Sequence, residues 1–411
     1  MRFFFPDSQD QIDPGFDFLT EEYSPMRVRQ RDDLYVHEIL GHGVIDGLLV
    51  SKAIVDGRAG AAGKYTLAQR HRLYRVGIRR FFRLEDAPSD FRTMGDCGAF
   101  SYFTEEEPPY TPDEVIDFYD ECDFDIGIAP DHIIFGFDPG GQADQEQLKV
   151  WEFRKQLTAQ LASEFLTRCR TRKVRFTPMA VAHGWSPQSY ASSVADLQAI
   201  GYERIALGGM VPLKTRDIIS SLEEISKVRL PKTQLHLLGI MREESVVHFA
   251  TLGVTSFDST SAFRQSFKDD RDNYHTTSRT YTAIRVPQVE GNPKLKRNIE
   301  AGRIVQEDAV RLERQCMAAL QQYTGSNGEA EKILGLVREY DHVVGNRKDY
   351  TEAYGQTLQD APWKKCDCQI CREAGVNVVI FRGSERNKRR GFHNIYAFRQ
   401  RIDRELQVGS S

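Results

Sequence analysis

The chain has no run of 18 consecutive apolar residues, so no segment is long enough to cross a bilayer as a helix. The opening stretch Met1–Asp7 lacks the basic start and the extended apolar core of a secretory signal. The expected compartment is therefore the cytoplasm, with no membrane partner. Cysteine is sparse and odd in number, seven in 411 residues, which excludes the dense disulfide framework of small secreted scaffolds. Charge of either sign is nearly balanced, with 55 Lys and Arg against 59 Asp and Glu, a formal net of −4. Bulk charge alone thus gives no sign of a nucleic-acid binder. Internal repeats are lacking as well, which excludes a solenoid or propeller.

What is present suits a large folded enzyme. Hydrophobic residues make up 40% of the chain and aromatics 10%, enough for a sizeable core. Eight short apolar runs read as strands: Arg2–Phe5, Gly47–Val55, Arg92–Gly95, Asp125–Ala129, Phe176–Ala182, Arg204–Leu207, Leu235–Ile240 and Thr255–Phe257. Amphipathic stretches lie between the later ones. They are Trp151–Arg170, a helix opening at Ser186–Pro187 and running to about Ile200, Thr215–Val228 and Glu243–Leu252. Strands alternating with helices imply parallel pairing through right-handed crossovers. Eight such units predict a (β/α)8 TIM barrel over residues 1–292, with an open doubly wound sheet as the second choice. Two long helical stretches, Arg297–Tyr323 and Glu329–Tyr340, predict a helical insertion over 293–360. The segment 361–402 reads as a zinc-binding subdomain.

Basic residues are bunched although the total is balanced. Arg70–Arg83, Arg168–Arg175 and Arg382–Arg401 are rich in arginine, whereas Glu105–Glu107 and Asp113–Asp125 are acidic. Local basic patches on an acidic protein suit a polyanion touched at a few places. Solvated helix faces explain any single patch equally well.

The sharpest motif is Cys366-Asp-Cys368-Gln-Ile-Cys371, with His393 22 residues further on. Three thiolates and an imidazole complete a zinc tetrahedron and leave no open position, which predicts a structural ion. A second pattern is a set of aspartates at predicted strand ends: Asp96, Asp131 and Asp258. In a barrel these ends converge at one mouth, where such folds place their chemistry. Paired carboxylates can carry out a retaining displacement at a sugar, one attacking and the other moving protons. A turn or cap role is the ordinary alternative for a single one of them. The glycine pair in Leu207-Gly208-Gly209-Met210 would let a flat ligand approach the backbone, or simply make a tight turn. Two motifs are set aside. His37 and His42 are five apart, and a zinc-protease helix needs four. Gly57–Lys64 lacks the first glycine of a phosphate loop and is followed by Tyr65 instead of a hydroxyl ligand.

Taken in order, these blocks resemble the tRNA-guanine transglycosylase family, over about residues 90–290 and 360–400. The family's D-S-G-G-[FY]-Q block is similar to Asp96-Cys97-Gly98-Ala99-Phe100-Ser101, and its V-Q-G-G to Ala182-His183-Gly184-Trp185. Its A-I-G-G-L-x-V-G-E matches Ala206–Lys214, and its F-D-C-V-x-P-T-R matches Phe257–Arg264. The zinc pattern C-x-C-x-x-C…H-N ends at His393-Asn394. Ala99, His183 and Lys214 depart from the tRNA-acting pattern. Together with the helical insertion they look more like the family's DNA-guanine transglycosylase branch. That resemblance implies exchange of guanine in DNA for a 7-deazaguanine base, 7-cyano-7-deazaguanine, with DNA and helper proteins of a DNA-modification system as partners. It implies Asp258 as nucleophile and Asp96 as proton relay. The base would be held by Asp131, His183, Gly208, Gly209 and Met210. A tRNA-acting enzyme with a divergent pocket and a non-catalytic nucleic-acid-binding paralogue are the competing expectations.

Overall fold

The computed structural model describes residues 1–58 and 61–409. Ala59 and Gly60, within the glycine-rich stretch set aside above, lie outside the described residues, as do Ser410 and Ser411. Packing divides the chain into two compact units. The first joins Met1–Gln9, Ile45–Thr260 and the chain from Arg404 onward; the second joins Asp10–Val44 and Ser261–Asp403.

The first unit is a closed barrel of eight parallel strands in sequence order. They are β1 (Arg2–Pro6), β2 (Gly47–Ser51), β3 (Arg92–Asp96), β4 (Ile126–Ile128), β5 (Thr177–Ala182), β6 (Arg204–Leu207), β7 (Gln234–Leu237) and β8 (Val254–Asp258). β1 closes the ring against β8, with Phe4 opposite Asp258. This is the expected (β/α)8 architecture, and closure excludes the open sheet. Successive strand residues face opposite sides, so every second one points inward. Phe4, Leu49, Met94, Ile126, Ile128, Met179, Val181 and Ala206 pack there into one buried cluster. Burying such side chains stabilises the barrel by roughly 1.5–3 kcal/mol each.

Local chemistry sets the helices. Ser186 caps the helix Pro187–Ile200 by accepting from the Ser189 amide, Pro187 supplies the first turn, and Gly201 ends it at φ 111°. Three expectations need correction. The run after Ser51 does not stay extended, because Lys52–Val55 turns into a short helix. The stretch Glu243–Leu252 is a 3-10 turn, Glu243–Ser245, leading into a helix, Val246–Thr251. The stretch Arg297–Tyr323 is two helices, Pro293–Glu300 and Gln306–Gln321, separated at Gly302 with φ 67°.

The second unit is mainly helical. Besides those two helices it holds Asn327–Val343, Thr351–Asp360 and Gln369–Ala374, and most of the long helix Gly383–Val408. The basic run Arg382–Arg401 is not a solvated face. Arg382, Arg386, Arg389 and Arg390 are all buried. Arg382 makes a two-pronged bond to Glu21 at 2.7 Å on each arm and also reaches Glu313. Arg386 shares Glu21 and donates to the Phe18 carbonyl at 2.7 Å. Arg389 binds Glu385 at 2.6 Å, and Arg390 donates to the carbonyls of Val378 and Ile380. The physical reason is spacing: Arg389 and Arg390 come three and four residues after Arg386 in the helix Gly383–Val408, so the three share one face, which is inside, and Arg382 immediately precedes that helix.

Candidate active site and metal cluster

The inward parity of the barrel strands places the site. Two residues beyond Met94 comes Asp96, two beyond Val181 comes His183, two beyond Ala206 comes Gly208, and two beyond Ser256 comes Asp258. All lie at the C-terminal ends of their strands, and Asp131 follows β4. Asp96 retains some exposure, whereas Asp131 and His183 are buried and Asp258 is 5% exposed. Burial pushes the Asp96 carboxyl up to about 8, helped by the negative charges of Asp131 and Asp258. The three aspartates therefore share one electrostatic environment.

Each carboxylate is held differently. Asp258 Oδ1 accepts from the Gly239 amide at 2.8 Å and from His236 Nε2 at 3.1 Å. The other nitrogen of His236, Nδ1, meets the Ser256 hydroxyl at 2.9 Å. A carboxylate can only accept, so His236 carries a proton on Nε2. His236 faces inward by strand parity, opposite Ala206, and the shift in β7–β8 register between Leu235 and His236 sets it opposite Ser256. Asp131 is gripped on both oxygens. His183 Nε2 donates to Oδ2 at 2.7 Å, and the Cys97 thiol lies 3.2 Å from Oδ1. The Tyr102 hydroxyl bridges the Cys97 sulfur at 3.0 Å and the Asp131 carbonyl at 3.2 Å. Burial beside Asp131 and Asp96 pushes the Cys97 thiol well up, so it stays protonated and serves as a donor.

His183 Nδ1 is buried without a hydrogen-bond partner. The glycine pair explains its setting. A Cβ on Gly208 would come within 2.3 Å of His183 Cε1, and one on Gly209, at φ 75°, within 2.2 Å of the Ile134 carbonyl. Tyr190 donates to the Gly208 carbonyl at 2.8 Å, and Met210 is fully buried beside the pair. Both glycines are thus required by close packing of the protein itself.

Sequence reasoning placed Asp96, Asp131, His183, Gly208, Gly209, Met210 and Asp258 at this mouth, and the barrel brings them there. It missed His236, Cys97 and Tyr102. His236 had one readable signal: a histidine at an inward position of a short buried strand.

The second unit gathers Cys366, Cys368, Cys371 and His393, whose ligand atoms all lie within 4.8 Å of one another. The three sulfurs are 3.6, 3.4 and 3.3 Å from His393 Nδ1. A tetrahedral zinc site would set such pairs about 3.6 Å apart. His393 Nε2 donates to the His275 carbonyl at 2.6 Å, which leaves Nδ1 as a lone-pair donor facing the sulfurs. Tyr274 stacks on the imidazole at 4.1 Å and its hydroxyl contacts the Cys371 sulfur at 3.2 Å. The donor set and its orientation fit a metal ion. Among the described residues no other group of three or more His, Cys, Asp or Glu side chains is close enough to share one metal ion, and His37 and His42 form no such group.

A parallel barrel with carboxylates gathered at its C-terminal mouth, where such folds place their chemistry, shares this chain with a Cys3His cluster, and the class these define is a barrel enzyme. No protein-family model matches the chain. It is 49% identical over 415 residues to a DNA-guanine transglycosylase of Salmonella montevideo, an alignment covering 100% of this chain and 98% of that protein. The chain belongs to the DNA-guanine transglycosylase family and is an enzyme of the glycosyl-transferring type. Among the described residues no helix is long and apolar enough to cross a membrane.

Proposed function

We propose that this enzyme exchanges guanine in DNA for a 7-deazaguanine base, 7-cyano-7-deazaguanine, through a covalent intermediate on Asp258. The observation that carries the reading is the electrostatic grouping of Asp96 with Asp131 and Asp258 at the barrel mouth. The Salmonella relative's name supplies the substrate class.

In the first half-reaction an oxygen of Asp258 attacks C1′ of the target nucleotide. The C1′–O bond forms, the C1′–N9 bond breaks, and guanine leaves with the electron pair. Asp96, protonated near neutrality because its pKa lies at about 8, gives the departing base a proton. In the second half-reaction N9 of the incoming base attacks C1′ and surrenders its proton to Asp96. Asp258 then leaves as carboxylate. Two inversions retain the anomeric configuration. Gly239 and His236 fix one oxygen of Asp258, so the other is the one presented to the sugar. The base is read by Asp131, by His183 through its unpaired Nδ1, and by the backbone at Gly208, Gly209 and Met210. To enter, it takes over contacts that Cys97 and His183 now make to Asp131. A duplex base must first leave the stack, at a cost of a few kcal/mol. Cys366, Cys368, Cys371 and His393 would hold a zinc ion, and four protein ligands would confine it to a structural role.

Replacing Asp258 with Asn tests the nucleophile. The variant should fold, form no denaturation-resistant DNA adduct and lose base exchange by at least about a thousandfold. An adduct at wild-type yield would rule out Asp258.

A further inference from the structure

The three basic runs that the sequence offers for phosphate contact are largely committed within the fold. Arg382, Arg386, Arg389 and Arg390 are buried. In the first unit Arg168 and Arg172 pair with Asp113, Arg172 also with Asp117, and Arg175 with Asp123. Arg70 pairs with Asp56 and Arg79 with Asp125. The groove beside Arg75 and Arg80 is also lined by Glu85, Glu121 and Asp123, so its field is mixed.

Surplus positive charge lies elsewhere. In the second unit a cavity of about 550 Å³ is lined by Arg285, Lys294, Arg303, Arg347 and Lys348, with Asp341 as its one carboxylate. Lys294, Arg303, Arg347 and Lys348 are exposed. Arg285 and Lys348 share Asp270, at 3.5 and 2.5 Å. Arg303 contacts only an amide, Asn298 at 3.3 Å, and neither Lys294 nor Arg347 makes an ion pair among the described residues. These cations come from separate segments: one short strand, the start of the helix Pro293–Glu300, the turn after it, and the turn after the helix Asn327–Val343. Long, exposed cations spread along a groove suit a polyanion whose charges repeat. A compact anion would instead be gripped by buried, converging donors.

We propose that this groove holds the phosphate backbone of the DNA substrate, mainly through Lys294, Arg303 and Arg347. The proposal rests on the DNA-exchange reading and adds the surface that grips the polymer. Its contacts are to phosphate, so it sets affinity and position without reading sequence.

The test uses the full-length protein with Lys294→Gln, Arg303→Gln and Arg347→Gln combined. A control removes three exposed cations elsewhere: Lys173→Gln, Lys227→Gln and Lys232→Gln. Melting curves confirm that both fold. Affinity for duplex DNA and for tRNA is then measured by fluorescence anisotropy across a salt series. Each lost phosphate contact lowers the slope of log K against log salt by about 0.9, so the groove variant should lose about 2.7 and bind DNA roughly a hundredfold more weakly at 0.1 M salt. The control should match the wild type. A groove variant that keeps wild-type DNA affinity and slope overturns the proposal, as does equal weakening in the control or a loss confined to tRNA. Base exchange by the wild type is scored separately. If it exchanges guanine in DNA while the groove variant binds normally, only the groove is wrong. If it exchanges guanine in tRNA alone, the underlying reading is wrong.

Discussion

Asp96 and Asp258 are both strand-end carboxylates, yet the barrel treats them differently. Asp258 has one oxygen fixed by an amide and an imidazole, the setting of a nucleophile that must be aimed. Asp96 sits where burial and two neighbouring charges push it to about 8, the setting of a group that exchanges a proton near neutrality. Two outcomes follow. In single-turnover guanine release, the rate should fall as pH rises through about 8, because the acid form is consumed; a flat profile from about pH 6 to about pH 9 would contradict the assignment. The folded-state pKa also lies above the unfolded value, so ionised Asp96 works against the fold. That cost is absent below about pH 4, grows as pH rises and is complete above about pH 8. Asp96→Asn should therefore raise the melting temperature, more at pH 8 than at pH 4, while slowing exchange. A melting temperature unchanged at both pH values would argue against the raised pKa. The aspartates were legible in the sequence because each closes an apolar run. His236 was not, because a lone histidine in a four-residue strand matches no motif; only the inward parity and the contact with Asp258 give it a role. Cys97 looked like one of four scattered thiols until the fold set it against Asp131.

At the scale of elements, apolar runs revealed all eight strands but not where each stopped. Ser51 to Val55 reads as continued strand by hydrophobicity, whereas the chain turns helical at Lys52, whose ammonium pairs with Asp56 one turn later at 2.5 Å. Composition made the helix Gly383–Val408 look like a phosphate-binding tail. Its Arg386 and Arg389 lie inside because Glu21 and the carbonyls of Phe18 and Asp13, distant in sequence, come to meet them, and no local pattern announces such partners. Burial pushes the Glu21 carboxyl up, but bonds from Arg382 outweigh it and hold the group down at about 2. Its contribution to stability should be present above about pH 4.5 and fade as pH falls towards about 2. Arg386→Ala should destabilise the protein by about 1–3 kcal/mol, since Glu21 keeps Arg382 and Gln288 but loses one charged partner, and the Phe18 carbonyl loses its donor. Chemical denaturation measures this; a loss below about 1 kcal/mol would mean that the arginine is a surface group after all.

For the molecule as a whole, the sequence placed a barrel and a metal-ligand cluster in one chain, and both are present. Packing drew the units by a rule that linear reading does not supply. Asp10–Val44, early in the chain, belongs with Ser261–Asp403, because its acids and carbonyls satisfy the arginines of the long helix. The Cys3His cluster lies in that same unit, close to Tyr274 and His275. The zinc proposed for this cluster should be lost in Cys368→Ser together with some of the melting temperature, and zinc at one equivalent in the variant, by elemental analysis, would exclude Cys368 as a ligand. The central claim is that the barrel mouth exchanges a base in DNA. The direct measurement incubates the wild-type protein, together with helper proteins where exchange needs them, with duplex DNA or with tRNA and 7-cyano-7-deazaguanine, then digests each polymer and identifies its nucleosides by mass spectrometry. The account predicts the 7-deazaguanine deoxynucleoside in DNA, free guanine in equal amount and unmodified tRNA. Modified tRNA beside unchanged DNA would contradict it.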